Sequence, residues 1–148
     1  MTQLETESVT AVPGRVVYTA RTHTTGGRER GESRTSDGRL EVKLSLPGSP
    51  SVGTNPEQLF AAGWLACFES AIALAARKMK ITLPADVAID ADVDPHLAES
   101  GYFLSARFNV SLPGIDHEIA RSLVEAADEL CPYSKATRGN IDVTFNLV

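Results

Sequence analysis

Two cysteines, Cys67 and Cys131, are the only thiols in a chain of 148 residues, and each sits in a telling place. Cys67 lies inside "LACFESAIALAARKMK", a run that is apolar almost all the way round. Cys131 ends the helical pattern "DHEIARSLVEAADELCP", next to Pro132 and Tyr133. In a reducing cytosol such a pair is seldom a permanent staple, and two ligands with no nearby histidine pair cannot make a zinc site. Two readings stay open on the residues alone: a pair of inert core fillers, since free cysteine behaves as a small hydrophobe, or a redox pair. If Cys67 reacts, a discrete cation must lower its pKa, because the thiolate is the nucleophile and a helix dipole fades within its first turn.

The elements that would position these thiols can be read in order. "RVVYTAR" (15–21) is rich enough in β-branched and aromatic residues for a strand, and "SRTSDGRLEVKLSLP" (33–47) for a hairpin turning at Ser36-Asp37-Gly38. A Gly-rich loop, "TTGGRERGES", lies between them and lacks the helix and Lys-Ser of a phosphate-binding loop. A long helix then starts with Thr54 or Asn55 as cap, Pro56 near its first position and Glu57 in its first turn, and ends near Lys78 and Lys80. Gly63 would permit a bend or a close contact within it. "VAIDADVDP" and "YFLSARFNVSLP" alternate as half-buried antiparallel strands, Asp116 caps a second helix that stops before Pro132, and "NIDVTFNLV" alternates as a last strand. Helices on antiparallel sheets make an α+β layer fold.

Composition bounds the rest. The length and a 43% hydrophobic content suit one domain over residues 15–148, preceded by a flexible extension over 1–14 that lacks the form of a secretory signal. A net charge of −5 with scattered Lys and Arg leaves no nucleic-acid footprint. The apolar stretch 59–76 is broken by Glu69 and weakened by alanines, which argues against a membrane span and for a cytoplasmic protein. His23, His96 and His117 fall at a strand end, a turn and a helix start, where structural roles are the ordinary ones.

"YTARTHTTGGRERG", "SDGRLEVKLSLP", "GTNPEQLFAAGWLACF", "LPADVAI" and "ELCPYSKATRGNIDV" together resemble the organic hydroperoxide resistance (Ohr) subfamily of the OsmC/Ohr family, in the same order from Tyr18 onward. The resemblance implies an intertwined homodimer, its curved antiparallel sheets wrapped around long central helices, with active sites shared between subunits. It also implies a thiol peroxidase that defends against oxidative stress by reducing organic and fatty-acid hydroperoxides to alcohols. By position, Cys67 matches the peroxidatic cysteine, Cys131 the resolving one, Arg28 the cation that activates the thiolate, and Glu57 the carboxylate that orients Arg28. The implied reductant is a dithiol such as dihydrolipoamide or a lipoylated protein, with no bound cofactor or metal. Arg138 in "TRGN" is a second candidate cation.

Glu57 and Cys67 are separated by roughly 15 Å of rise in a continuous helix, so a compact site is easier if one of them comes from another subunit. Phe60, Trp64 and Phe68 offer a candidate apolar pocket, in which an acyl chain gains about 0.8 kcal/mol per buried CH₂ and hydrogen peroxide gains none. Glu69 and Ser70 stand where the subfamily tends to be more apolar. Two other readings compete: a broader OsmC-type peroxidase, and a noncatalytic dimer that senses peroxide or binds an apolar ligand.

Overall fold

A computed structural model describes residues 12–148, so most of the expected N-terminal extension lies outside the described residues. The first sheet is a meander of β1 (Thr22–Thr25), β2 (Glu32–Thr35) and β3 (Glu41–Lys43), all antiparallel, with Thr22 opposite Thr35 and Ser33 opposite Val42. Its hairpin turns where the sequence indicates. Asp37 accepts from Thr35 Oγ1 and the Arg39 amide, and Gly38 adopts a φ of 74° that other residues avoid. A single helical turn, α1 (Gly27–Arg30), fills the glycine-rich link between β1 and β2. Gly26 and Gly27, both with positive φ, make its sharp entry possible.

Residues 15–21 were expected to be a strand and are not one here. Among the described residues the Arg21 carbonyl accepts from the Ser36 amide at the end of the run, but no strand pairs with the rest of it, and Val16, Val17 and Tyr18 stand exposed. Strand propensity is a fit to a half-buried pleated surface, and a run without a neighbouring strand lacks that surface.

The central helix α2 (Pro56–Met79) follows its signals closely. Asn55 caps it by accepting from the Gln58 amide at 2.9 Å, Pro56 opens it, and Lys80 closes it in the left-handed region. One stripe, Trp64, Phe68, Ala71, Ile72, Ala75 and Ala76, is buried. The opposite side, including Ala62, Ala66 and Leu74, is exposed although apolar. By length and composition α2 could cross a membrane, yet it serves as the core of a layered domain, packed on α3 (His117–Leu130) and on the second sheet.

That second sheet has the order β4 (Ala88–Ala98), β5 (Gly101–Ser111), β6 (Asp142–Leu147). β4 and β5 form a long antiparallel hairpin, whereas β6 joins β5 in parallel, Phe108 opposite Phe145. The parallel pairing departs from the all-antiparallel expectation. After β5 the chain crosses over through α3 and α4 (Pro132–Thr137) and so returns in the same direction. Ala106, Phe108 and Val110 form the buried face of β5 and Leu112, just past its end, continues it, as the alternation requires. Phe108 makes edge contacts with Trp64, Phe68 and Phe145, with ring centroids 4.8 to 5.4 Å apart. Such contacts are each worth about 0.5–1.5 kcal/mol beyond area burial.

Candidate active site

Cys67 lies close to the middle of α2, half-buried, with Phe68 on its core side. Cys131 is wholly buried at the junction of two helices, closing α3 through its amide to the Ala127 carbonyl and capping α4. Both are free thiols, and they lie near enough for the Cys131 side chain to bear on the ionisation of Cys67. The fold thus joins two cysteines that lie far apart in sequence.

Electrostatics at Cys67 run against ionisation in the single chain. Burial is the largest influence and pushes the thiol above its ordinary value, and the Cys131 side chain pushes the same way. Only the backbone amide of Tyr133, the first free N–H of α4 after Pro132, pulls it down. Among the described residues no cation acts on Cys67.

Arg28 and Glu57 do meet, but elsewhere. Arg28 Nη2 donates to Glu57 Oε1 at 3.1 Å, through one oxygen rather than as a two-bond fork. Arg28 is half exposed and Glu57 largely covered, and α1 brings the arginine to the first turn of α2. Because α2 is unbroken between Glu57 and Cys67, about 15 Å of helix separates this ion pair from the thiol of its own chain.

The ion pair heads an apolar groove of about 580 Å³ lined by Leu46, Pro56, Phe60, Pro95, Tyr102, Phe103 and Leu104 as well as by Arg28 and Glu57 themselves. Of the three aromatic residues considered for a substrate pocket, Phe60 lines this groove. Trp64 and Phe68 are wholly buried in the core and do not. Arg138 is occupied: its Nη2 donates to the Asp128 carbonyl at 2.6 Å and so holds the end of α3. His96 shares a hydrogen bond with Ser105 on the exposed face of the β4–β5 hairpin, away from both thiols. Among the described residues no cluster of His, Cys, Asp or Glu could hold a metal ion.

Sequence reasoning missed Tyr133 and Ser134, because Pro132 reads as the stop of α3. It is equally the favoured first residue of a new helix, with Cys131 as its cap, and that signal was available.

Comparison with known proteins bears on the whole arrangement. Residues 47–146 match the family described as OsmC-like protein. The organic hydroperoxide resistance protein of Xanthomonas axonopodis pv. citri (strain 306) is 45% identical over 141 residues, covering 93% of this chain and 99% of that protein. OhrA of Bacillus subtilis (strain 168), another organic hydroperoxide resistance protein, is 40% identical and covers 88% of this chain and 96% of its own. Among solved structures, OhrB of Bacillus subtilis superposes with a TM-score of 0.84 at 40% identity, over 90% of this chain and 100% of that one. An organic hydroperoxide resistance protein from Legionella pneumophila gives 0.84 at 41% identity, over 90% and 98% of the two chains. The chain therefore belongs to the OsmC family and, within it, to the organic hydroperoxide resistance proteins of peroxide stress defence.

Proposed function

We propose that this protein is a cysteine-based peroxidase that reduces organic and fatty-acid hydroperoxides to alcohols. The observation that carries the reading is that the fold packs the junction of α3 and α4, where Cys131 sits, against α2, so that Cys131 lies near Cys67. Cys67 as thiolate attacks the distal peroxide oxygen, the O–O bond breaks, the alcohol leaves with a proton, and the sulfur keeps the oxygen as sulfenic acid. Cys131 then displaces that oxygen as water and closes a disulfide. A dithiol such as dihydrolipoamide, free or on a lipoylated protein, reopens it by exchange, which fits a cytoplasmic setting.

Arg28 supplies the positive charge in this scheme and Glu57 orients it. A guanidinium stabilises the thiolate and the charge that builds on the departing oxygen. Since the pair is about 15 Å along the helix from its own Cys67, it serves the Cys67 of a second subunit, and the working unit is a homodimer with two shared sites. Three features support that unit: the unpaired apolar segment 15–21, the open small-residue side of α2, and the exposed Leu97, Tyr102 and Phe103 at the hairpin tip. The groove under the ion pair, apolar below and charged at its head, suits a hydroperoxide on an acyl chain.

The noncatalytic sensing reading draws on one observation, that among the described residues only the Tyr133 amide, and no cation, favours the Cys67 thiolate. One experiment separates the two. Reduced protein is titrated with tert-butyl and fatty-acid hydroperoxides, lost thiols are counted, and dihydrolipoamide is added, for wild type and Cys67→Ser. The peroxidase oxidises two thiols per chain and is recycled. Oxidation that no dithiol reverses favours the sensor, and turnover that survives Cys67→Ser removes the mechanism.

A further inference from the structure

One buried polar contact ties together the two elements that carry the cysteines, and the chemistry above makes no use of it. Trp64 is wholly buried and donates its indole Nε1–H to Ser134 Oγ at 3.2 Å, and Ser134 is itself only 2% exposed. Trp64 precedes Cys67 on α2 by three positions, and Ser134 follows Cys131 by three in the first turn of α4. The bond therefore lies about one helical turn from each sulfur. Beside it, the Tyr133 ring rests on Gly63, where an added Cβ would stand 2.7 Å from the phenol oxygen. Apolar packing would tolerate small slides of α4 along α2. A hydrogen bond between two desolvated partners has one geometry and is costly to leave unmade.

We propose that Trp64 and Ser134 are positioning residues for disulfide closure: they hold the first turn of α4 on α2, so that the Cys131 thiol stays within reach of the sulfenic acid formed on Cys67. The proposal rests on the peroxidase reading. In closure the S–S bond forms, the S–O bond breaks, and the oxygen leaves as water with the Cys131 proton. A second molecule of organic hydroperoxide competes for the same sulfenic acid, passing it one oxygen to give a sulfinic acid and leaving as the alcohol. Cys131 cannot regain lost reach by bending alone, because its amide is committed to Ala127 and its carbonyl accepts from the Lys135 amide. The brace thus sets the partition between a recyclable disulfide and a dead-end sulfinate.

The test uses Ser134→Ala, which deletes the acceptor, Ser134→Thr, which keeps a hydroxyl, and Trp64→Phe, which keeps a ring without a donor. Stopped-flow mixing with tert-butyl hydroperoxide separates sulfenic acid formation from closure, and intact mass counts disulfide against sulfinic acid as peroxide rises. Ser134→Ala should leave the first step within about twofold and slow closure by roughly tenfold or more, since an ångström of misplacement costs up to about a hundredfold. Its sulfinic share should rise at peroxide concentrations that wild type survives. Trp64→Phe should raise the same share, and Ser134→Thr should restore closure. A closure rate and sulfinic share equal to wild type in both Ser134→Ala and Trp64→Phe would overturn the proposal, as would equal slowing of the two steps, which marks a general loss of structure. Wild type that consumes hydroperoxide but never closes a disulfide also overturns it. Wild type that consumes none removes the peroxidase reading itself.

Discussion

Arg28 can be assigned to one subunit or the other by a complementation experiment whose outcome follows from distance. Across about 15 Å, the Coulomb energy between unit charges is about 0.3 kcal/mol at the dielectric constant of water and about 1 kcal/mol at the effective value of about 20 that suits a protein surface, before salt screening. With a Debye length of roughly 8 Å at physiological salt, less than that remains. A cation there favours the thiolate by less than about tenfold. Placed within about 4–6 Å instead, an opposite charge favours it by roughly tenfold to a thousandfold. The guanidinium of a protomer, held by Glu57 at the start of α2, therefore does little for that protomer's own Cys67.

The perturbation is a pair of complementary defects. One protomer carries Arg28→Gln and an intact Cys67, the other Cys67→Ser and an intact Arg28, each with its own affinity tag. Heterodimers are purified on both tags and assayed for consumption of a fatty-acid hydroperoxide under excess dithiol. If the cation acts across the interface, each heterodimer owns one complete site, and about half of the wild-type activity returns. Both parent homodimers should stay at or below about a tenth. Activity no greater than the mean of the parents would place Arg28 and Cys67 in one chain, and the loop at Gly26 and Gly27 would then have to carry the arginine far from Glu57. A purely monomeric species, still active, would refute the shared site outright.

Three further outcomes follow from the same geometry. In Arg28→Gln, burial first and the nearby Cys131 side chain second oppose the ionisation of Cys67 and outweigh the Tyr133 amide, so its alkylation rate should titrate at higher pH than an ordinary thiol. Cys131→Ala should lower that midpoint, and no change would deny the influence of Cys131. Asn55→Ala removes the acceptor for the Gln58 amide and should cost about 1 kcal/mol, lowering the Tm by a few degrees in calorimetry. In Gly63→Ala, helix propensity gains up to about 1 kcal/mol while the new Cβ crowds the Tyr133 phenol. Because that ring is partly exposed it can swing out, so stability should hold while the Tyr133 side chain changes its fluorescence; a large fall in Tm would show that the ring is pinned.

The elements that sequence reveals are those governed by local chemistry. The cap at Asn55, Pro56 at the first helical position, the Asp37-Gly38 turn and the alternation through Phe108 and Val110 act within a few residues, and each stands where the chain indicates. Features set by tertiary partners were hidden. α4 was masked because Pro132 serves both to stop one helix and to start another. The parallel pairing of β6 depends on the crossover through α3, which alternation cannot express, and Phe60 shares a side of α2 with Trp64 and Phe68 but lies nearer the helix start, where burial is incomplete.

The candidate site and the uncovered surface of this chain express one condition. A thiol set in an apolar helix is protected from bulk solvent and surrounded by carbon suited to an acyl chain, but the same burial opposes the charge it needs to react. Among the described residues no loop of its own chain answers that need, because the one that carries Arg28 is committed to the start of α2. Meanwhile the chain leaves a strand-like segment without an edge, the small-residue side of a long helix without cover, and an aromatic hairpin tip in water. In the proposed homodimer, a second copy that covers these surfaces would supply the missing cation in the same act. Under this proposal the reactive thiolate exists only where the protein is assembled, and conditions that separate the subunits should silence Cys67 before they unfold the domain that holds it.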